Sequence, residues 1–142
     1  MSSYDVFNDI LLDASLSLET DTLNIALVDS TYTFDSTNTN FSTDIAGSEL
    51  PTGDGYTAGG ETLTNSSVDL VTGLAYWSAD NVTWSALTAT FRGAVIYASG
   101  TIGAYTDPPL IYILFDDTPD DIVVTAFDFT ITWNASGIMS LS

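Results

Sequence analysis

Apolar positions in the chain begin with a helical period and change to a strand period before residue 30. Over residues 4 to 14, Phe7, Ile10, Leu11 and Ala14 fall on one helical face. Ser2 or Ser3 can cap that helix, and Asp5 suits the positive end of its dipole. The spacing predicts one short helix that needs a partner surface. From Thr22 the pattern is strand-like, and LNIALV at 23 to 28 is a nearly continuous apolar run, as in a strand covered on both faces. Residues 29 to 56 then turn polar, rich in Ser, Thr, Asn and Asp, with Pro51, Gly53 and Gly55 as breakers. They predict a long excursion with little regular structure. Phe41, Ile45 and Leu50 inside it imply anchoring to something, and long loops of this kind commonly carry function or meet a partner.

After Gly60 strand signals come at short intervals: ETLTNSSVDLV, GLAYWSA, LTATFRGAVIYA, PLIYILF, DIVVTAFDFTITWN and the short GIMSLS. Gly, Asp, Asn and Pro separate most of them, and no crossover helix intervenes. The expected fold is therefore all-β, an antiparallel β-sandwich or jelly roll with a short N-terminal helix and a long polar loop. A length of 142 residues suits one domain, with 1 to 18 as a helical arm and 29 to 56 as the loop.

Charge narrows the partners more than the fold. Nineteen carboxylates against one cation give a net charge of -18, while an apolar fraction of 45% argues for a folded core. Nucleic acid and anionic lipid both require clustered Lys and Arg, so neither is an expected partner. The longest apolar runs, such as LIYILF at 110 to 115, are too short to cross a bilayer, and the N-terminus lacks a basic leader; the expectation is a soluble product of the cytoplasm. Asn-x-Ser/Thr matches at Asn40, Asn65, Asn81 and Asn134 are what a Ser/Thr-rich chain produces by chance.

The chemical inventory is short. Without Cys, His or Lys, thiolate catalysis, imidazole bases, zinc-thiolate sites and Schiff bases are all excluded. Two carboxylates suffice for glycoside hydrolysis, yet no pair is singled out, and the aspartic-protease Asp-Thr-Gly is absent, DST at 29 and 35 being the nearest approach. An enzyme is not expected. GDGYTAGG at 53 to 60 superficially spells a dinucleotide fingerprint but lacks the preceding buried strand and the following helix, so its glycines read as turn formers. DDTPDD at 116 to 121 offers Asp116, Asp117, Asp120 and Asp121 as ligands for a hard cation such as Ca²⁺ or Mg²⁺; the alternative is a solvated acidic turn around Pro119. No other cofactor is expected. Trp77, Trp84 and Trp133 fall in strand runs, where such rings fill a core; exposure of any of them would instead favour a sugar-binding face.

Arg92 is the sole cation. Alternation along TATFRGAVIY places Ala89, Phe91, Gly93, Val95 and Tyr97 on a core face, with Thr88, Thr90, Arg92, Ala94 and Ile96 opposite. From that mixed face its guanidinium can hold a neighbouring carboxylate bidentately, reach across a subunit boundary, or meet a ligand.

The order of LLDASLSLETDTLNIALVDSTYTF, GDGYTAGGETL, ADNVTWSALTATFRGAVIY and DFTITWNASGIMSL, spanning most of the chain, resembles a family of small virion structural proteins of tailed bacteriophages, some of them head-decoration proteins. The resemblance implies a β-rich subunit on the outer capsid surface of a virion assembled in the host cytoplasm. It also implies association with the major capsid protein and with copies of itself. It carries over no catalytic residue, only Trp84, Arg92 and the Trp133, Gly137, Leu141 spacing as structural features. The expected function is that of a capsid decoration or cement protein. The alternatives are a tail, baseplate or fibre-attachment subunit and a carbohydrate-binding module displayed on the virion.

Overall fold

Ser2 and Ser3 do not cap the helix; they form a short strand, β1 (Ser2–Ser3), antiparallel to a later strand through Ser2 opposite Tyr112. Helix α1 (Asp5–Leu12) follows with Tyr4 at its N-cap, and buries Val6, Phe7 and Ile10. Ala14 lies beyond its end in a left-handed turn, φ 60°, and so does not extend the apolar face. The structure, a computed structural model, describes every residue except Asp117, Pro119 and Ser142. Mostly β, with antiparallel sheets and this short N-terminal helix, it has the all-β sandwich character that the strand periodicity predicts.

The remaining strands are β2 (Leu23–Val28), β3 (Glu61–Thr62), β4 (Ser67–Val71), β5 (Leu74–Ser78), β6 (Val82–Phe91) and β7 (Gly93–Ala98). After them come β8 (Thr101–Ile102), β9 (Tyr105–Thr106), β10 (Pro109–Leu114), β11 (Ile122–Ile131) and β12 (Met139–Leu141). They form a five-stranded sheet in the order β1-β10-β7-β2-β3, a three-stranded sheet β12-β5-β4, a two-stranded ribbon β11-β6 and a small hairpin β8-β9.

The continuous apolar run of β2 is explained by its place beside β7 inside the largest sheet, where both faces are covered. Rings of the polar excursion lie over one of those faces. Phe41 stacks on Tyr97 with centroids 4.0 Å apart, and Tyr32 and Phe34 pack on Tyr112 at 5.3 and 5.7 Å. Leu23, Ile25, Leu27, Ile96 and Ile111 are buried in the same core as Phe7, Ile10, Trp77 and Trp84. The inner side of the ribbon adds an aromatic cluster in which Phe129 meets Phe91 at 4.8 Å and Trp84 at 6.0 Å.

Two further expectations are corrected. TATFRGAVIY is not one strand with a core face and a mixed face: it breaks at Arg92, so that β6 belongs to the ribbon and β7 to the large sheet. Ala94 and Ile96, expected beside Arg92 on a mixed face, are fully buried. Gly93 makes this switch sterically feasible, since a Cβ there would sit 2.5 Å from the Ile113 carbonyl oxygen. The excursion is also more ordered than its polarity implies. It holds a wide helical turn, Phe41–Ile45, opened by the Asn40 side chain accepting from Thr43 N, and then a tight turn, Ala46–Ser48.

Candidate functional site

The excursion is fastened by hydroxyl groups. Tyr56 Oη accepts from Leu27 N at 3.1 Å and donates to Glu49 Oε1 at 2.7 Å, and Gly59 N donates to the same carboxylate oxygen at 2.6 Å. Tyr97 Oη donates to the Gly59 carbonyl at 2.8 Å and accepts from Asn24 Nδ2 at 3.3 Å. Burial, then the Glu49 carboxylate, pushes the Tyr56 hydroxyl well above the ordinary phenol range. Tyr4 is raised in the same way, by burial and by its 2.6 Å hydrogen bond with Tyr32 Oη. These phenols stay protonated and hold structure in place. Phe41, Ile45 and Leu50 are buried, so the surface they anchor to is the chain's own sheet.

GDGYTAGG is a pair of tight turns rather than a phosphate cradle. Gly53 and Tyr56 exchange backbone hydrogen bonds of 2.9 and 3.0 Å, and Gly60, at φ 76°, has no room for a Cβ against Ile25 O. Arg92 lies at the strand switch, its backbone N–H donating to Val28 O at 2.9 Å. Its Nε donates to Asp121 Oδ1 at 2.9 Å, with 28% and 32% of the two side chains open to solvent. Both partners belong to the same chain, so this contact ties the start of β11 to the corner between β6 and β7.

The acidic turn is also internally engaged. Asp116 Oδ1 accepts from Thr118 N at 2.8 Å and Oγ1 at 2.6 Å, which lowers the Asp116 pKa, and Thr118 Oγ1 lies 3.3 Å from Asp120 Oδ2. Asp121 is held by Arg92, and Asp117 lies outside the described residues. Among the described residues no group of three or more carboxylates is arranged to hold a metal ion. Asp29 with Thr31 and Asp35 with Thr37, the two DST segments, make the same self-closing turn as Asp116 with Thr118. This Asp-x-Thr recurrence was visible in the sequence as a turn signal.

Trp77 and Trp84 are buried, with Trp77 Nε1 donating to Ser66 Oγ at 2.8 Å. Trp133 is half-buried; its Nε1 donates to Asp80 O at 3.0 Å, and its ring lines a cleft of about 420 Å³ together with Phe115, Phe129 and Asn134.

Two exposed surfaces remain that sequence reasoning missed. One is the exposed surface of the ribbon, where Thr83, Thr88, Thr90, Val123, Thr125 and Phe127 are open to solvent and Phe127 is 74% exposed. Asp128 is the one carboxylate in either strand, and its Oδ1 accepts from Ala86 N at 2.9 Å. Strand periodicity could have found this face in part, because Thr83 and Ser85, and again Thr88 and Thr90, alternate with apolar residues on either side of the irregularity at Ala86. The other surface is the outer end of the three-stranded sheet, where Leu70, Val71 and Leu141 are exposed. No known family profile, curated protein or solved structure matches the chain.

Proposed function

We propose that this protein is a structural subunit of a tailed-bacteriophage virion, acting as a decoration or cement protein on the outer face of the shell. One observation carries the reading: in a chain of net charge -18, the two strands of the β6–β11 ribbon carry a single carboxylate, Asp128, and leave Val123 and Phe127 exposed. Contact through such a face buries apolar and hydroxyl surface while desolvating few charges and opposing few like ones. Copies of the chain, or the major capsid protein, would meet it there. The order of sequence segments resembling phage virion proteins supports this choice of partner. A subunit that binds the assembled lattice and not its free components stabilises the lattice by mass action.

The test compares particles assembled with and without the protein. Loss of the subunit should lower the temperature at which the shell opens, and re-addition should restore it, while Phe127→Asp protein should restore little. Equal heat resistance with and without the subunit would sink the cement reading. Copy number separates shell from tail, since a shell protein is present in hundreds of copies and a tail component in a handful. A carbohydrate-binding reading rests on Trp133 alone, because Trp77 and Trp84 are buried. Perturbation of the Trp133 indole resonance by glycans of the host envelope would support it.

A further inference from the structure

We infer that the groove beside the C-terminal end of α1 docks a segment of another protein that carries Lys or Arg next to large apolar side chains. The inference does not rest on the virion reading. Its floor is one face of the three-stranded sheet. Register places Val68, Trp77 and Met139 in one row and Leu70, Ala75 and Leu141 in the next, so that face is apolar throughout, while Asp69, Tyr76 and Ser140 lie on the other. Leu11, Leu16 and Leu18 line the groove over the Trp77 end, which is 2% exposed. The next row is left open: Leu70 is 77% exposed, Leu141 and Val68 are exposed with it, and Leu12 projects into solvent from the last turn of α1.

The groove encloses about 280 Å³, at the small end for a cofactor and a good size for one or two inserted side chains. Apart from Ser17, its one polar lining residue is Glu19, fixed there because Oε1 accepts from Val68 N at 3.3 Å. The C-terminal end of the α1 dipole adds partial negative charge, Asp13 sits at that end, and no basic residue lies in the last turn. Asp21, bonded to Ser17 N at 2.7 Å, is a third carboxylate on the same segment. The negative rim therefore calls for a cation that this chain does not supply, because Arg92 is its sole basic side chain and is held by Asp121. A second copy would bring a further net charge of -18 and no free basic side chain, so charge complementarity selects a basic partner over self-association.

Methyl and amide NMR on the whole protein tests this with three synthetic peptides: alternating Leu and Lys, alternating Leu and Glu, and alternating Ser and Lys. The Leu-Lys peptide should shift the methyls of Leu18, Val68 and Leu141 and bind at least tenfold more tightly than either control. Leu70→Ser and Leu141→Ser, at exposed positions that leave the spectrum dispersed, should each weaken it about tenfold. Glu19→Gln should weaken it severalfold and flatten its salt dependence. The proposal is overturned if the Leu-Lys peptide does not bind, if Ser-Lys binds equally well, if the shifts fall on Val123 and Phe127 instead, or if the two Leu variants bind as the parent does. Concentration-dependent dimerisation abolished by Leu70→Ser would also overturn it, in favour of self-association.

Discussion

The excursion over residues 29 to 56 and the ribbon of β6 and β11 exchange the roles that their hydropathy assigns them. The polar excursion is bound down, because Phe41, Ile45, Leu50 and Tyr56 are buried and the Tyr56, Glu49 and Gly59 hydrogen bonds close it onto β2. The ribbon, built from strand-forming residues, buries Trp84, Leu87 and Phe91 and leaves Val123 and Phe127 open to solvent. A few well-placed rings and hydroxyls fix a polar segment more firmly than a high apolar count fixes a strand with one free side. The ribbon thus keeps an exposed apolar face, as does the groove at the C-terminal end of α1, whereas the rings of the excursion are spent inside the subunit.

The sharpest break of this comparison is a matched pair of substitutions. Phe41→Ala should cost about 3–5 kcal/mol in denaturant unfolding, the usual loss for a buried phenylalanine, and Phe127→Ser should stay within about 0.5 kcal/mol. Equal costs would erase the distinction between the two regions. Next comes Tyr56→Phe, expected to cost about 1–3 kcal/mol by leaving Leu27 N and Glu49 without their shared partner.

The same hydroxyl sets a pH response. Tyr4 and Tyr56 keep their protons when folded and release them near the ordinary phenol pKa of about 10 when unfolded. Their contribution is therefore fully present below that pH and is lost progressively as the pH rises above it. Urea midpoints should fall on the alkaline side, and Tyr56→Phe should make that fall shallower; an unchanged slope would show that Tyr56 is not one of the responsible groups.

Smaller effects sharpen the picture on the ribbon side. A double-mutant cycle with Arg92→Met and Asp121→Asn should give a coupling of about 1 kcal/mol or less, reduced by salt, because both groups are partly solvated. A coupling above about 2 kcal/mol would make the pair the main fastening of the strand switch, against the ordinary range for exposed pairs. Ala126 lies at φ 51°, where a Cβ is strained, so Ala126→Gly should raise stability by about 0.5 kcal/mol. A lower thermal midpoint would show that the loss of chain stiffness outweighs the relief.

Strands separated by Gly, Asp and Asn were legible because alternation and turn chemistry are local. The β4–β5 hairpin turns on Thr72 and Gly73, both at positive φ, and LNIALV announces its double burial through its apolar continuity. The break at Arg92 was not legible, since TFRGAV has strand character on both sides and only the competing partners, β11 for one half and β2 and β10 for the other, divide it. Order in the excursion was hidden for a related reason. Phe41 signalled an anchor, but its partner Tyr97 is far along the chain, and Glu49 looked like one more surface carboxylate. At the surfaces, sequence exposed the charge imbalance and the lone cation but not which faces lack carboxylates, because that depends on how strands from distant segments align.

The register shifts of the ribbon have a bearing on how its open edges behave. Pairing of β11 with β6 slips between Val124 and Phe127 and again between Phe127 and Phe129, with Ala86 and Ala126 both at φ 51° and capped by Asp128 and Thr88. A ten-residue border strand with exposed Val123 and Phe127 would otherwise template the addition of one chain to the next without limit. The kinks interrupt the regular run of backbone donors and acceptors along that border, the device by which sheet edges resist strand-to-strand addition.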